Sequence, residues 1–363
     1  MENKLLDSKK LKFGIYESAL ASILFVIYNF LFIQLYSFIP KSVRANDLMN
    51  FVASFFLEGM FAVAAITVAC TRKIDLKAAS GMNKKINSKM VWLGFWISVV
   101  CLIGFGDVTN LFLQILEMLG YSSVLSNLEM TTFWQYLGYV LVSCVTPAVC
   151  EELLFRGTIL SGFRQYGMKT AIVLSALIFT FMHGNAEQTV HQFIIGVIVG
   201  YIFYKSGNLW LGVIIHFFNN FLSVTASYIL SLSASSETVV ATETTVTAGQ
   251  FIVGVISTIA FAYFAYVLSK LLISKLLDEN EKVNGKLQEN TNLQVVKIDG
   301  EESVVEVAIN GEVAQQVDIA DGEMASEKPE KEPLSVGCIL MFAISGLYLA
   351  FEWIAALLIG FGV

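Results

Sequence analysis

Apolar positions fall along this chain in blocks of about 15 to 30 residues, most of them long enough as helices to cross a hydrocarbon core about 30 Å thick. The first block, 14–40, follows Lys4, Lys9, Lys10 and Lys12. It is longer than a signal-peptide core and has no small-residue cleavage site, so it predicts a membrane helix. Further blocks at 51–70, 90–106, 132–163, 169–183, 190–204, 209–230, 250–273 and 334–361 each predict another. The pattern therefore predicts an all-α, polytopic integral membrane bundle of about nine transmembrane helices. Between the third and fourth blocks, 109–120 has an apolar face at helical spacing and no basic residue, which predicts a helix lying along the outer interface.

Basic residues orient the bundle. Arg72, Lys73, Lys77, Lys84, Lys85 and Lys89 crowd the loop after the second block, and Arg164, Lys169, Lys205, Lys270 and Lys275 mark later ends on the same side. The positive-inside rule makes that side and the amino terminus cytoplasmic, in a multi-pass protein of the cell membrane. Lys41 and Arg44 are exceptions, and Arg156 lies deeper. The Ser- and Thr-rich stretch 231–249 lacks Lys and Arg and suits an outer loop.

One sizeable soluble piece remains, 277–333, acidic and placed on the cytoplasmic side before the last helix. Its middle, 293–319, alternates apolar and polar residues and contains Asn310-Gly311, a hairpin signal, so it reads as a tethering linker or a small β-meander. Four regions result: 1–131 with the early helices and the interfacial helix, a core at 132–276, the soluble segment 277–333, and the last helix in 334–363.

Composition agrees with the pattern and narrows little else. The 363 residues are 56% hydrophobic and 15% charged, too apolar for a soluble domain. The net charge of -7 owes much to the soluble segment, and no basic patch for nucleic acid is visible. Cys70, Cys101, Cys144, Cys150 and Cys338 lie in apolar runs without metal-ligand spacing, and they read as small packed residues.

What does not fit a plain bundle is a set of polar groups inside the apolar blocks of 132–223. An ionised group at the centre of a membrane helix costs at least about 2.5 to 3.5 kcal/mol, so it persists where it meets a partner or a wet cavity. Glu151, Glu152, Arg156, His183, His216, Asn219 and Asn220 fall there, with His191. On straight helices rising 1.5 Å per residue, Glu151 lies about 20 Å from Arg164, His183 about 21 Å from Lys169, and His216 and Asn220 about 15 and 22 Å from the turn at 205–208. All four reach one depth. Pro147, four residues before Glu151, should bend the fourth helix and free a backbone carbonyl.

Spacing then divides the set. Glu152 and Arg156, four apart with the acid first, predict a self-neutralising pair in a supporting role, which leaves Glu151 free for chemistry. His216 and Asn220, also four apart, share a face. A carboxylate and an imidazole at one depth can hold and deprotonate a water, while a second imidazole and an amide can donate to a developing oxyanion. Glu151, His183 and His216 could equally hold a zinc ion, since two His and one Glu form a catalytic ligand set with an open position. The residues leave both chemistries open. HExxH is absent. Gly196 and Gly200 predict a packing face on the sixth helix, and His191 reads as a packed residue at the same level.

At these residues the chain resembles the CPBP intramembrane proteases, which include CAAX prenyl endopeptidases and bacterial Abi or bacteriocin-processing relatives. Three motifs in order carry the resemblance: EExxxR at Glu151, Glu152 and Arg156, followed by Gly157; FxxxH at Phe179 and His183; HxxxN at His216 and Asn220. It covers 132–222, roughly a quarter of the chain. The resemblance implies catalytic roles for Glu151, His183, His216 and Asn220, supporting roles for Glu152 and Arg156, and a glutamate-dependent or metalloprotease mechanism.

The expected function is therefore intramembrane hydrolysis of membrane-associated or leader-type peptides, some of them prenylated, in contact with lipid. A non-catalytic scaffold or immunity protein of the same fold is the alternative. A transporter is disfavoured, because the polar residues converge at one level and the two halves of the chain show no repeat.

Overall fold

The computed structural model describes residues 12–123, 130–234, 248–285, 293–298, 301–307, 313–317 and 333–362. Among them are nine helices of 15 residues or more: α1 Ile15–Ser37, α2 Asp47–Thr71, α3 Ser88–Met118, α4 Phe133–Tyr166, α5 Met168–Met182, α6 Thr189–Ser206, α7 Leu209–Ala234, α8 Ala248–Asn284 and α9 Val336–Gly360. The architecture is a polytopic helical membrane bundle. By length and composition seven of the described helices suffice to cross a membrane, namely α1–α4 and α7–α9. α5 is apolar but has only 15 residues, and His191 and Gln192 in its first turns dilute α6.

One expected element changes. The interfacial helix over 109–120 is instead the end of α3, which continues unbroken to Met118. Gly104 and Gly106 are tolerated inside a helix and no proline intervenes, so nothing in the sequence stops it there. Its 31 residues span about 46 Å, well beyond the hydrocarbon core.

α4 is the irregular helix. Its α-helical turns are interrupted by two wide π-helical stretches, Val140–Val145 and Leu153–Leu160, on either side of Thr146–Glu152. Hydroxyls satisfy carbonyls that the wide turns loosen: Thr146 Oγ1 donates to Leu141 O at 2.9 Å, Thr158 Oγ1 to Leu153 O at 3.1 Å, and Ser161 Oγ to Arg156 O at 3.1 Å. Such turns gather at functional sites. The segment between them carries Pro147, Glu151 and Glu152.

The neighbouring helices close around α4. α1 approaches so tightly that a Cβ on Gly162 would overlap Ser18, whose hydroxyl donates to Thr158 O at 2.8 Å. α6 lies on α5, where Gly196 faces Ala176 and Gly200 faces Ile172. The small residues predicted as a packing face do pack.

At one end, Asn208 in the α6–α7 turn is fully buried and donates to Asn280 Oδ1 at 2.9 Å and to Lys85 O at 3.2 Å, while Lys89 pairs with Glu279 at 2.7 Å. At the other, Glu187 between α5 and α6 accepts from Tyr121 and Ser123. Burial, and then the neighbouring Glu187 carboxylate, push the Tyr121 phenol up to about 12.

In the soluble segment, β1 Leu293–Ile298, β2 Glu301–Val307 and β3 Val313–Val317 form an antiparallel sheet in the order β1-β2-β3. The register pairs Leu293 with Glu306 and Val304 with Val317. The hairpin signal at Asn310-Gly311 lies outside the described residues, as does most of the expected outer loop 231–249.

Candidate active site

Glu152 sits at the centre of the polar cluster. It is fully buried, and its Oε1 accepts from Arg156 Nη1 at 2.9 Å and from His216 Nδ1 at 3.0 Å. The first contact is the pair that the four-residue spacing predicts. The second joins α4 to α7 and assigns the His216 tautomer, because a carboxylate accepts and Nδ1 must donate. The α7 backbone comes close enough for this only because residue 212 is glycine: a Cβ there would stand 2.7 Å from Glu152 Oε2.

Arg156 is 1% exposed. Besides Glu152, it donates to Gly196 O at 3.4 Å and lies 4.5 Å over the Phe179 ring. Phe179 is itself fully buried, and its ring meets both imidazoles edge-on, His183 at 4.9 Å and His216 at 5.9 Å between centroids. The aromatic residue of the second motif thus spaces the arginine and two histidines.

Glu151 points along a different line from Glu152, as adjacent residues on a helix must. It is 5% exposed, and its Oε2 stands 3.9 Å from His216 Nε2. Its carboxyl hydrogen-bonds the carboxyl of Glu58 on α2. A bond between two carboxyls needs one proton between them. Sequence reasoning missed Glu58, although it is a lone acid inside the apolar run 51–70 and the same cost argument applies to it.

His183 caps the end of α5, half-buried, and its Nδ1 donates to Phe179 O at 2.9 Å, which leaves Nε2 with a free lone pair. Among the described residues no hydrogen bond joins Glu151 to His183, so the two would have to act through something between them. Asn220, half-buried on α7, donates from Nδ2 to Ser143 O at 2.9 Å. Pro147 has no N–H to offer that carbonyl, four residues back in the helix. The freed carbonyl expected from Pro147 is therefore the one that holds Asn220.

The residues do not fit the alternative metal set. Among those described, no three His, Cys, Asp or Glu side chains are grouped as a metal-ion site requires, so Glu151, His183 and His216 are not drawn together as ligands.

Fold and site together define a helical membrane protein that buries a carboxylate, imidazole and amide cluster between α4 and α7. Residues 133–222, which contain all three motifs, match the family model described as type II CAAX prenyl endopeptidase Rce1-like, and this supports the CPBP/CAAX intramembrane protease family. No curated protein matches the chain, and no solved structure matches it.

Proposed function

We propose that this chain is a glutamate-dependent intramembrane endopeptidase that hydrolyses peptide bonds of membrane-associated substrates, prenylated or leader-type. The single observation that carries the reading is the packing of Glu151, Glu152, Arg156 and His216 into one nearly inaccessible cluster with His183 on the same Phe179 ring. Such a cluster is costly in lipid unless used.

Water enters between Glu151 and His183. The Glu151 carboxylate takes one proton, and the free Nε2 of His183 accepts a hydrogen bond from the other, which aligns the oxygen on the scissile carbonyl carbon. Negative charge moves to the carbonyl oxygen. Asn220 donates to it with the amide hydrogen that Ser143 does not use. His216 donates from Nε2 when its ring carries both protons, with Glu152 balancing that charge behind Nδ1. Collapse of the intermediate breaks the C–N bond, and Glu151 returns its proton to the leaving amine. The set of positive charges around 72–89 suits a cytoplasmic face for the amino terminus and those loops.

Glu151→Gln, His183→Ala and His216→Ala are each expected to abolish cleavage while the protein still inserts, and Asn220→Leu to lower turnover about 100-fold. Comparative membrane proteomics of wild type against Glu151→Gln identifies peptides whose termini depend on the enzyme. A Glu151→Gln protein that fully complements a deletion would instead support a binding scaffold. Chelator-stripped protein is expected to keep its activity; loss on stripping and return with zinc would favour the metal mechanism.

A further inference from the structure

His191 is the imidazole that the proposed reaction leaves unused, and its bonding gives it a task. It stands in the first turn of α6, half-buried, with Asn219 Nδ2 of α7 3.1 Å from its Nε2. The same Asn219 nitrogen lies 3.3 Å from Asn220 Oδ1, and Asn220 Nδ2 lies 2.9 Å from Ser143 O. Four groups on three helices form one chain.

That chain has a direction. A backbone carbonyl can only accept, so Ser143 O requires the nitrogen end of the Asn220 amide. The oxygen end then faces Asn219 and requires the nitrogen of that amide. Asn219 Nδ2, a donor only, leaves His191 Nε2 as the acceptor, with the ring proton on Nδ1. The two ends of an asparagine amide have nearly the same shape, so partners alone decide which way each points. Asn219 is 3% exposed and its Oδ1 has no hydrogen-bond partner, so the lone pair of His191 holds its nitrogen end in place on the side away from Asn220.

We propose that His191 and Asn219 are positioning residues that fix the Asn220 amide with its free N–H turned to the reacting carbonyl. The proposal rests on the oxyanion role given above to Asn220. Neither residue belongs to the three motifs, and neither touches the substrate in this scheme.

Two measurements test it. In full-length protein carrying ¹⁵N-labelled histidine, with the His191 signal assigned by its absence in His191→Gln, wild type is expected to show the Nδ1-protonated ring, and Asn219→Ala to shift that signal. A ring protonated at Nε2 in wild type overturns the chain as drawn. In proteoliposomes with an internally quenched farnesylated CAAX peptide, His191→Phe and Asn219→Ala are each expected to lower kcat about tenfold with KM within about twofold, since misorienting a donor costs less than the 100-fold or more of deleting it. His191→Gln, whose amide oxygen can accept, restores most of the rate.

A wild-type kcat in both His191→Phe and Asn219→Ala, equal losses in the Phe and Gln variants, or a change confined to KM overturns the positioning role. So does a further loss when His191→Phe is added to Asn220→Leu, because residues acting through one amide are not additive. If Asn220→Leu alone keeps full activity, the oxyanion assignment fails, and this role falls with it. If Asn220→Leu is inactive while His191→Phe and Asn219→Ala are normal, only the positioning role fails.

Discussion

Arg156 is the largest fully buried side chain described, and a guanidinium in such a place must be answered on every side. Glu152 answers its charge, Gly196 O takes a hydrogen and the Phe179 face covers it. Arg156→Met would leave Glu152 with His216 as its one charged partner, in a cavity without water. Breaking a buried pair in this way costs about 3 to 5 kcal/mol, so the variant is expected to melt at a clearly lower temperature in detergent micelles than wild type. An unchanged melting temperature would mean that the pair is not structural. The Glu152–Arg156 half of this arrangement is legible from spacing within one helix. The Glu152–His216 half is not, because it depends on how closely α7 approaches, and that is decided by the absence of a Cβ at Gly212. Glu58 escaped for another reason: it lies some 90 residues before Glu151, far outside the region to which the motifs draw the eye.

At the scale of elements, blocks of apolar residues fix where helices run, and all nine predicted blocks are helical among the described residues. What they cannot fix is the winding inside a helix. α4 contains two π-helical stretches that hydropathy does not register, and the argument from straight helices passes over them. Pro147 was legible as a freed carbonyl but not as the partner of Asn220, since that needs two helices in place. Pro147→Ala restores an N–H within reach of Ser143 O. The carbonyl then has two suitors, Asn220 loses part of its hold, and kcat is expected to fall about tenfold with little change in KM in the quenched-peptide assay. A wild-type rate would show that the Ser143 bond does not matter for turnover. The continuation of α3 through 109–120 makes the same point in reverse: a change of polarity along a helix is not a stop signal.

For the whole molecule, the basic residues assign a side to each loop, and the folded bundle keeps the loop before α3 and the α6–α7 turn together through Asn208, Lys85 and Asn280. If that shared end is cytoplasmic, a cysteine introduced at Lys84 in a background without native thiols should react with an impermeant maleimide only after the membrane is opened from the cytoplasmic side, and one at Ser122 should react from outside. The reverse labelling would invert the orientation. The strand meander reads from alternation alone, because a period of two needs no tertiary context. The bundle's sidedness reads from charge, whereas the hydrogen-bond chain through His191 needs three helices to be placed before it can be seen.

The wide turns of α4 have one more consequence. Each holds more residues per turn than an ordinary α-turn, so the direction in which Glu151 points depends on a count of residues upstream of it. Losing one codon between Val140 and Val145 would let that stretch relax into regular α-helix, with hydropathy, length and topology almost unchanged. The carboxylate would be turned by about 100° away from its histidines. A descendant gene with that deletion would keep all three motifs and still encode a membrane protein of the same outline, yet its product would be inert.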